Sequence, residues 1–189
     1  TQTLVCTFPY DYVTAYVLQS LYLTGLLPIA VAKPFVMGIG GGSGSGKSTI
    51  VKEIIKQLGT EKVSVIQHDS YYKNRPELSF EERTKINFDH PDSLETNLLV
   101  EHLNLLISGK NVEIPVFHHF TKYLRGSSTK KVESRPILIV EGILVLNDNE
   151  LRNLMNLKVF IDVPPDLRFI RRLKRDLSEH GRSVESVTK

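Results

Sequence analysis

One glycine-rich run, M-G-I-G-G-G-S-G-S-G-K-S-T from Met37 to Thr49, constrains the fold of this chain more than any other stretch. Within it Gly41, Gly42, Ser43, Gly44, Ser45, Gly46, Lys47 and Ser48 fit G-x-x-x-x-G-K-[ST]. Glycines let successive backbone N–H groups turn inward around phosphate oxygens, an approach that side chains would block. The Lys47 ammonium then meets the β- and γ-phosphates, the Ser48 hydroxyl reaches Mg²⁺, and Thr49 completes the nucleotide-binding set, so ATP and Mg²⁺ are the expected cofactors. The flanks fit the loop. Phe35 to Ile39 reads as a short buried strand, and Ile50, Val51, Ile54, Ile55 and Leu58 recur at helical spacing until Gly59 stops the helix. A flexible Gly/Ser linker would need neither neighbour.

Composition adds limits rather than direction. The 189 residues suit one domain with an appendage, and 41% apolar with 24% charged residues is ordinary for a globular chain. A formal charge of +3 makes no case for nucleic acid, which is not expected as a partner. The one cysteine, Cys6, excludes an intrachain disulfide and no Cys/His spacing resembles a zinc site, so a reducing compartment, the cytoplasm, is expected. Residues 1–32 carry one charge, Asp11, and the 21 uncharged residues from Tyr12 to Ala32 could span a bilayer by length. Gln19, Ser20, Thr24, Gly25 and Pro28 interrupt that stretch and no basic cluster precedes it. The expectation is therefore an apolar N-terminal appendage over 1–32 rather than a membrane span, with the working domain over 33–189.

From Lys33 onward, strands alternate with helices. Val63 to Gln67 is strand-like and ends at His68-Asp69-Ser70-Tyr71-Tyr72. Ligands of open parallel sheets sit beyond the carboxyl ends of strands, which places Asp69 where chemistry is expected. Ser79-Phe80-Glu81-Glu82 has capping-box spacing, and Asn87-Phe88-Asp89-His90-Pro91 reads as a loop. A leucine stripe holding His102 predicts a helix from about Ser93 to Ser108, stopped by Gly109. Val112 to Val116 alternates like an exposed strand, and Phe117 to Glu133 is a polar, basic excursion. Pro136 to Val140 is a continuous apolar run tipped by Glu141, the pattern of a central parallel strand whose acid serves Mg²⁺ or its water. Lys158 to Asp162 repeats the theme before Pro164-Pro165 and a helix carrying Arg168, Arg171, Arg172, Lys174 and Arg175. Basic helices are ordinarily solvated faces, but arginine suits bidentate phosphate contacts.

Five signatures now stand in order: G-I-G-G-G-S-G-S-G-K-S-T (38–49), H-D-S-Y-Y (68–72), N-F-D-H-P-D-S (87–93), V-E-G-I-L (140–144) and D-L-R-F-I-R-R-L-K-R-D (166–176). Together they resemble the uridine kinase (uridine–cytidine kinase) family over roughly residues 35 to 189. The resemblance implies ATP-dependent phosphorylation of a pyrimidine ribonucleoside at its 5′-hydroxyl. It makes Asp69 the general base and a neighbour of the metal with Ser48 and Glu141, Tyr72 a wall of the nucleoside pocket, and Asp89 the acceptor for the ribose 2′- and 3′-hydroxyls. It assigns Arg168, Arg171, Arg172 and Arg175 to a lid over the phosphates, with Lys47, Arg171 and Arg175 acting on the transferring group. A homo-oligomer is also expected.

Two departures from the family pattern matter. Where the family reads P-x-Y-D-F-x-x-H-x-R, this chain places Phe117 for the tyrosine, Tyr123 for the histidine and one extra residue between Pro115 and Arg125. Those positions read the pyrimidine edge in the family. The family also continues beyond the V-E-S-V stretch with a further helix and strand, so the domain is expected to be truncated at its C-terminus. Phosphoribulokinase and pantothenate kinase share the loop, and a non-catalytic nucleotide-binding regulatory domain is the alternative from another class. A GTPase is disfavoured because no [NT]-K-x-D tetrad occurs. The expected architecture is a three-layer α/β P-loop NTPase fold, a parallel sheet with helices on both faces and a small β-rich excursion at about 110–135.

Overall fold

Five residues in a row, Val36 to Gly40, are all buried, so the strand that holds them needs a packed layer on each side. The computed structural model, which describes residues 2–7, 19, 33–118, 121, 123–179 and 184, supplies both layers. The strands are β1 (Gln2–Thr7), β2 (Phe35–Gly40), β3 (Val63–Gln67), β4 (Val112–His118), β5 (Leu124–Val132), β6 (Ile137–Gly142) and β7 (Leu157–Asp162). The helices are α1 (Lys47–Leu58), α2 (Phe80–Thr84), α3 (Thr96–Ile107), α4 (Asn149–Asn153) and α5 (Pro165–Glu179). A five-stranded parallel sheet runs in the order β1-β7-β2-β6-β3, and β4 with β5 forms a separate antiparallel pair.

Strand alternation sorts the apolar side chains between two cores. Met37, Ile39, Ile137 and Ile139 face α1, where they meet Ile50, Val51, Ile54 and Leu58. Val36, Leu138, Val140 and Ile66 face α3 and meet Leu99, Val100, Leu103 and Leu106, with Val112, Ile114 and Val132 of the hairpin closing the same cluster. Each such fully buried side chain stabilises the fold by about 1.5–3 kcal/mol relative to an exposed one. The sheet is thereby fixed from both faces, and the loops at its carboxyl edge inherit that rigidity.

The β-rich excursion is the β4–β5 hairpin, with a register shift between Pro115 and Phe117. The leucine-striped helix starts later than its stripe suggests. Pro91–Ser93 forms a single 3₁₀ turn, and Leu94 stays extended because it bridges across to Tyr72. Within the expected N-terminal appendage, Gln2–Thr7 pairs in parallel register with β7, from Gln2 opposite Leu157 to Thr7 opposite Asp162. The uncharged stretch 12–32, apart from Gln19, lies outside the described residues. Among the described residues no helix is long and apolar enough to cross a membrane.

Candidate active site

The carboxyl edge of the sheet gathers the expected residues from four elements. After β2 the chain wraps the loop Gly41–Gly46 and enters α1 at Lys47. Gly44 has φ +79°, and a Cβ there would lie 2.5 Å from the Arg168 carbonyl oxygen, so the position needs glycine on two counts. Gly46 caps α1 in a left-handed conformation, with no side-chain cap and no acidic residue in the first turn. The positive end of a twelve-residue helix is thus presented to an anion.

Lys47 folds back on its own loop, its Nζ donating to the carbonyls of Gly41 (2.8 Å) and Gly42 (3.1 Å). Burial pushes its ammonium below the usual lysine range; Asp69 and Glu141 oppose that shift, and Arg175 and Arg168 add to it. Five charged groups from β2–α1, β3, β6 and α5 therefore share one field. A cleft of about 730 Å³ lies among them, lined by Lys47, Ser48, Asp69, Glu141, Arg171 and Arg175. A second cleft of about 530 Å³ holds Asp92, Glu95, Glu101 and Asp148 against the one lysine Lys73, a charge balance that repels phosphate.

The Ser48 hydroxyl donates to Glu141 Oε2 at 3.1 Å, and Gln67 Nε2 donates to Glu141 Oε1 at 3.3 Å. Among the described residues no group of three His, Cys, Asp or Glu could hold a metal by itself. Mg²⁺ asks for less, since it keeps several waters and uses one or two carboxylates plus substrate phosphate oxygens. Ser48 and Glu141, with Asp69 in the same cleft, fit that requirement.

Asp69 stands in the 3₁₀ turn His68–Tyr71 directly after β3. Burial pushes its carboxyl up, Lys47 pulls it back, Asp89 raises it and Arg175 opposes that rise. The turn is anchored by buried His68, whose Nε2 lies 3.2 Å from the Thr96 hydroxyl. Burial drives the His68 imidazole down to about 4 against the pull of Asp148. Tyr72 donates its hydroxyl to the Phe88 carbonyl at 3.0 Å, and its phenol is raised by burial and by both Asp69 and Asp89. Asp89 faces Arg168 and Arg172 across a further cleft of about 350 Å³ beside Gly42.

The aromatic residues near Asp89 form one wall. Tyr72 packs at 4.9 Å from Phe88 and 5.3 Å from Phe117, and Tyr123 stacks on Phe88 at 5.5 Å with 22° between planes. Tyr123 holds φ +50°, a left-handed conformation that a bulky residue rarely adopts. The guanidinium of Arg125, expected at the substrate, bonds the carbonyls of Tyr71 and Tyr72 and pairs with Glu95. On α5, Arg175 bonds buried Asp176 through Nε (3.0 Å) and Nη2 (2.8 Å), Arg172 Nε lies 3.8 Å from the same carboxylate, and Arg168 Nε donates to the Val163 carbonyl. Sequence reading missed Gln67 and Asp176. Each had a signal: Gln67 ends a strand in register with Glu141, and Asp176 lies one helical turn beyond Arg172.

Similarity to known proteins falls on the same residues. The profile of the Phosphoribulokinase / Uridine kinase family matches residues 36–189. The uridine kinase of Streptococcus thermophilus is 46% identical over 155 residues, 82% of this chain and 73% of its own length. The uridine kinase of Chloroflexus aurantiacus is 47% identical over 154 residues, again 82% of this chain and 73% of the relative. Among solved structures, a possible uridine kinase from Bacillus stearothermophilus superposes with a TM-score of 0.57 at 20% identity, covering 95% of this chain and 94% of that one, a likeness of fold.

Proposed function

Because this chain belongs to the phosphoribulokinase/uridine kinase family, we propose that it transfers the γ-phosphoryl group of ATP to the 5′-hydroxyl of uridine or cytidine, giving UMP or CMP in pyrimidine salvage. The observation that carries this reading is that Asp69 lines one cleft with Lys47, Ser48, Glu141 and Arg175, close enough to Asp89 to feel its charge. A carboxylate there takes the hydroxyl proton as the new O–P bond forms, and burial, by raising its basicity, suits it to that task.

Lys47, the N–H groups at the start of α1 and the arginines of α5 hold the triphosphate. Lys47 exchanges the Gly41 and Gly42 carbonyls for phosphate oxygens, and Arg175 exchanges Asp176, so each cation moves from a neutral or internal partner to the charge that develops during transfer. Mg²⁺, held through Ser48 and Glu141 with Asp69 nearby, supplies charge neutralisation on the phosphates when bound. Asp89 accepts from the ribose 2′- and 3′-hydroxyls, and the wall of Tyr72, Phe88, Phe117 and Tyr123 receives the base. Phe117 lacks the hydroxyl that the family places there, so the base is held by shape and stacking more than by hydrogen bonds. The working place of such an ATP-using enzyme with one cysteine is the cytoplasm.

ADP release measured with a panel of nucleosides tests the reading. Uridine and cytidine should give the highest kcat/KM; turnover confined to a sugar phosphate or to pantothenate would replace it with another kinase of the same fold.

A further inference from the structure

Three segments must keep register for an acceptor to sit between Asp69, Asp89 and the aromatic wall. They are 68–74, with the general base; 88–96, with the ribose carboxylate and the start of α3; and the facing ends of β4 and β5 at 117–118 and 123–125, with Phe117 and Tyr123. Main-chain bonds join the first two: Lys73 N–H donates to the Ser93 carbonyl, Glu95 N–H to the Tyr71 carbonyl, and Tyr72 bridges Leu94. The third is tied in by Arg125. Its backbone N–H donates to Asn74 Oδ1 at 3.1 Å, and its Nε donates to the Tyr72 carbonyl at 3.0 Å. Its Nη2 reaches the Tyr71 carbonyl at 3.3 Å and Glu95 Oε2 at 2.7 Å. Across β4–β5, Arg125 is the register partner of Phe117, so the same residue sets where that ring stands.

We infer that Arg125 is a positioning residue rather than a substrate ligand: it locks the hairpin to the base-bearing turn and to α3, and so sets nucleoside affinity and base choice. The inference deepens the proposed function and rests on it. An exposed ion pair would be worth little, but the Arg125 side chain is only 16% exposed and its planar fork serves two adjacent carbonyls and a carboxylate together. A lysine offers one point charge and cannot span the three acceptors. The positive φ of Tyr123, two residues away, also needs a fixed chain on its C-terminal side to persist.

The test compares wild type, Arg125→Lys and Glu95→Gln by thermal melting, by binding of a fluorescent ATP analogue, and by kcat and KM for uridine and adenosine. In Arg125→Lys the KM for uridine should rise about tenfold and the uridine-to-adenosine ratio of kcat/KM should fall severalfold, because a small displacement of positioned groups is costly. ATP-analogue affinity should stay within about twofold, since no phosphate contact changes. Glu95→Gln should move the same two quantities in the same direction by less, and it carries the test if Arg125→Lys does not fold. Wild-type KM and selectivity in a folded Arg125→Lys, or in Glu95→Gln where that variant alone is read, would overturn the inference. So would ATP affinity weakened by the same factor as the KM for uridine. A wild-type protein inactive on uridine and cytidine would instead overturn the functional reading beneath it.

Discussion

His68 offers a stability test of the turn that presents Asp69. His68 is 1% exposed, its Nε2 meets Thr96, and its Nδ1 has no hydrogen-bond partner among the described residues, so a proton added there would cost the burial of a charge that the pull of Asp148 offsets only in part. The folded state holds the imidazole at about 4, whereas an unfolded chain has it near 6.5. Between those values the unfolded state binds more protons, so stability is full above about pH 6.5 and is lost as pH falls toward 4. The difference amounts to about 3 kcal/mol in all, of which about 2 kcal/mol is already lost at pH 5. Urea denaturation of wild type and His68→Gln at pH 7.5 and pH 5 isolates this group, because every other titrating residue is common to both. Wild type should lose about 2 kcal/mol more than the variant between the two pH values. Equal losses would mean that His68 reaches a partner or solvent when protonated.

Other perturbations separate the roles within the cleft. Lys47→Ala should lower kcat by about 10²–10³ while the melting temperature changes little, as for removal of one electrostatic stabiliser; activity near wild type in single-turnover assays would remove Lys47 from the site. Asp69→Asn should retain ATP-analogue binding and lose about 10²–10⁴ in turnover, and survival of a tenth of wild-type turnover would move the base elsewhere. Phe117→Tyr and Tyr123→His should each sharpen preference for uridine and cytidine over adenosine by restoring polar groups at the aromatic wall, with unchanged kcat/KM ratios meaning that this wall does not read the base.

Much of this molecule is legible in its sequence because the informative signals are local. The continuous apolar runs Val36–Ile39 and Ile137–Val140, the spacing of Ile50, Val51, Ile54 and Leu58, and the capping box at Ser79 can each be read within a few residues of chain, and the strands and helices form there. The placement of Asp69 and Glu141 follows from the same logic, since strand ends of a parallel sheet converge on one edge. What sequence could not give depends on long-range partners. The start of α3 shifted because Tyr72 bridges Leu94 across the chain. The hold on Arg125 is of the same kind, since Glu95 and two carbonyls 53 and 54 residues earlier bond its guanidinium. The pairing of Gln2–Thr7 with β7 likewise joins segments that no sequence window contains together.

Phosphoryl transfer to a ribonucleoside 5′-oxygen at the cleft that holds Lys47 and Asp69 can be followed by ³¹P NMR of the protein with magnesium, ATP and uridine. Equal amounts of ADP and uridine 5′-monophosphate should form, and both should be lost in Asp69→Asn. Release of inorganic phosphate in place of a monophosphate ester, or an ester at another ribose oxygen, would rule out transfer to the 5′-oxygen.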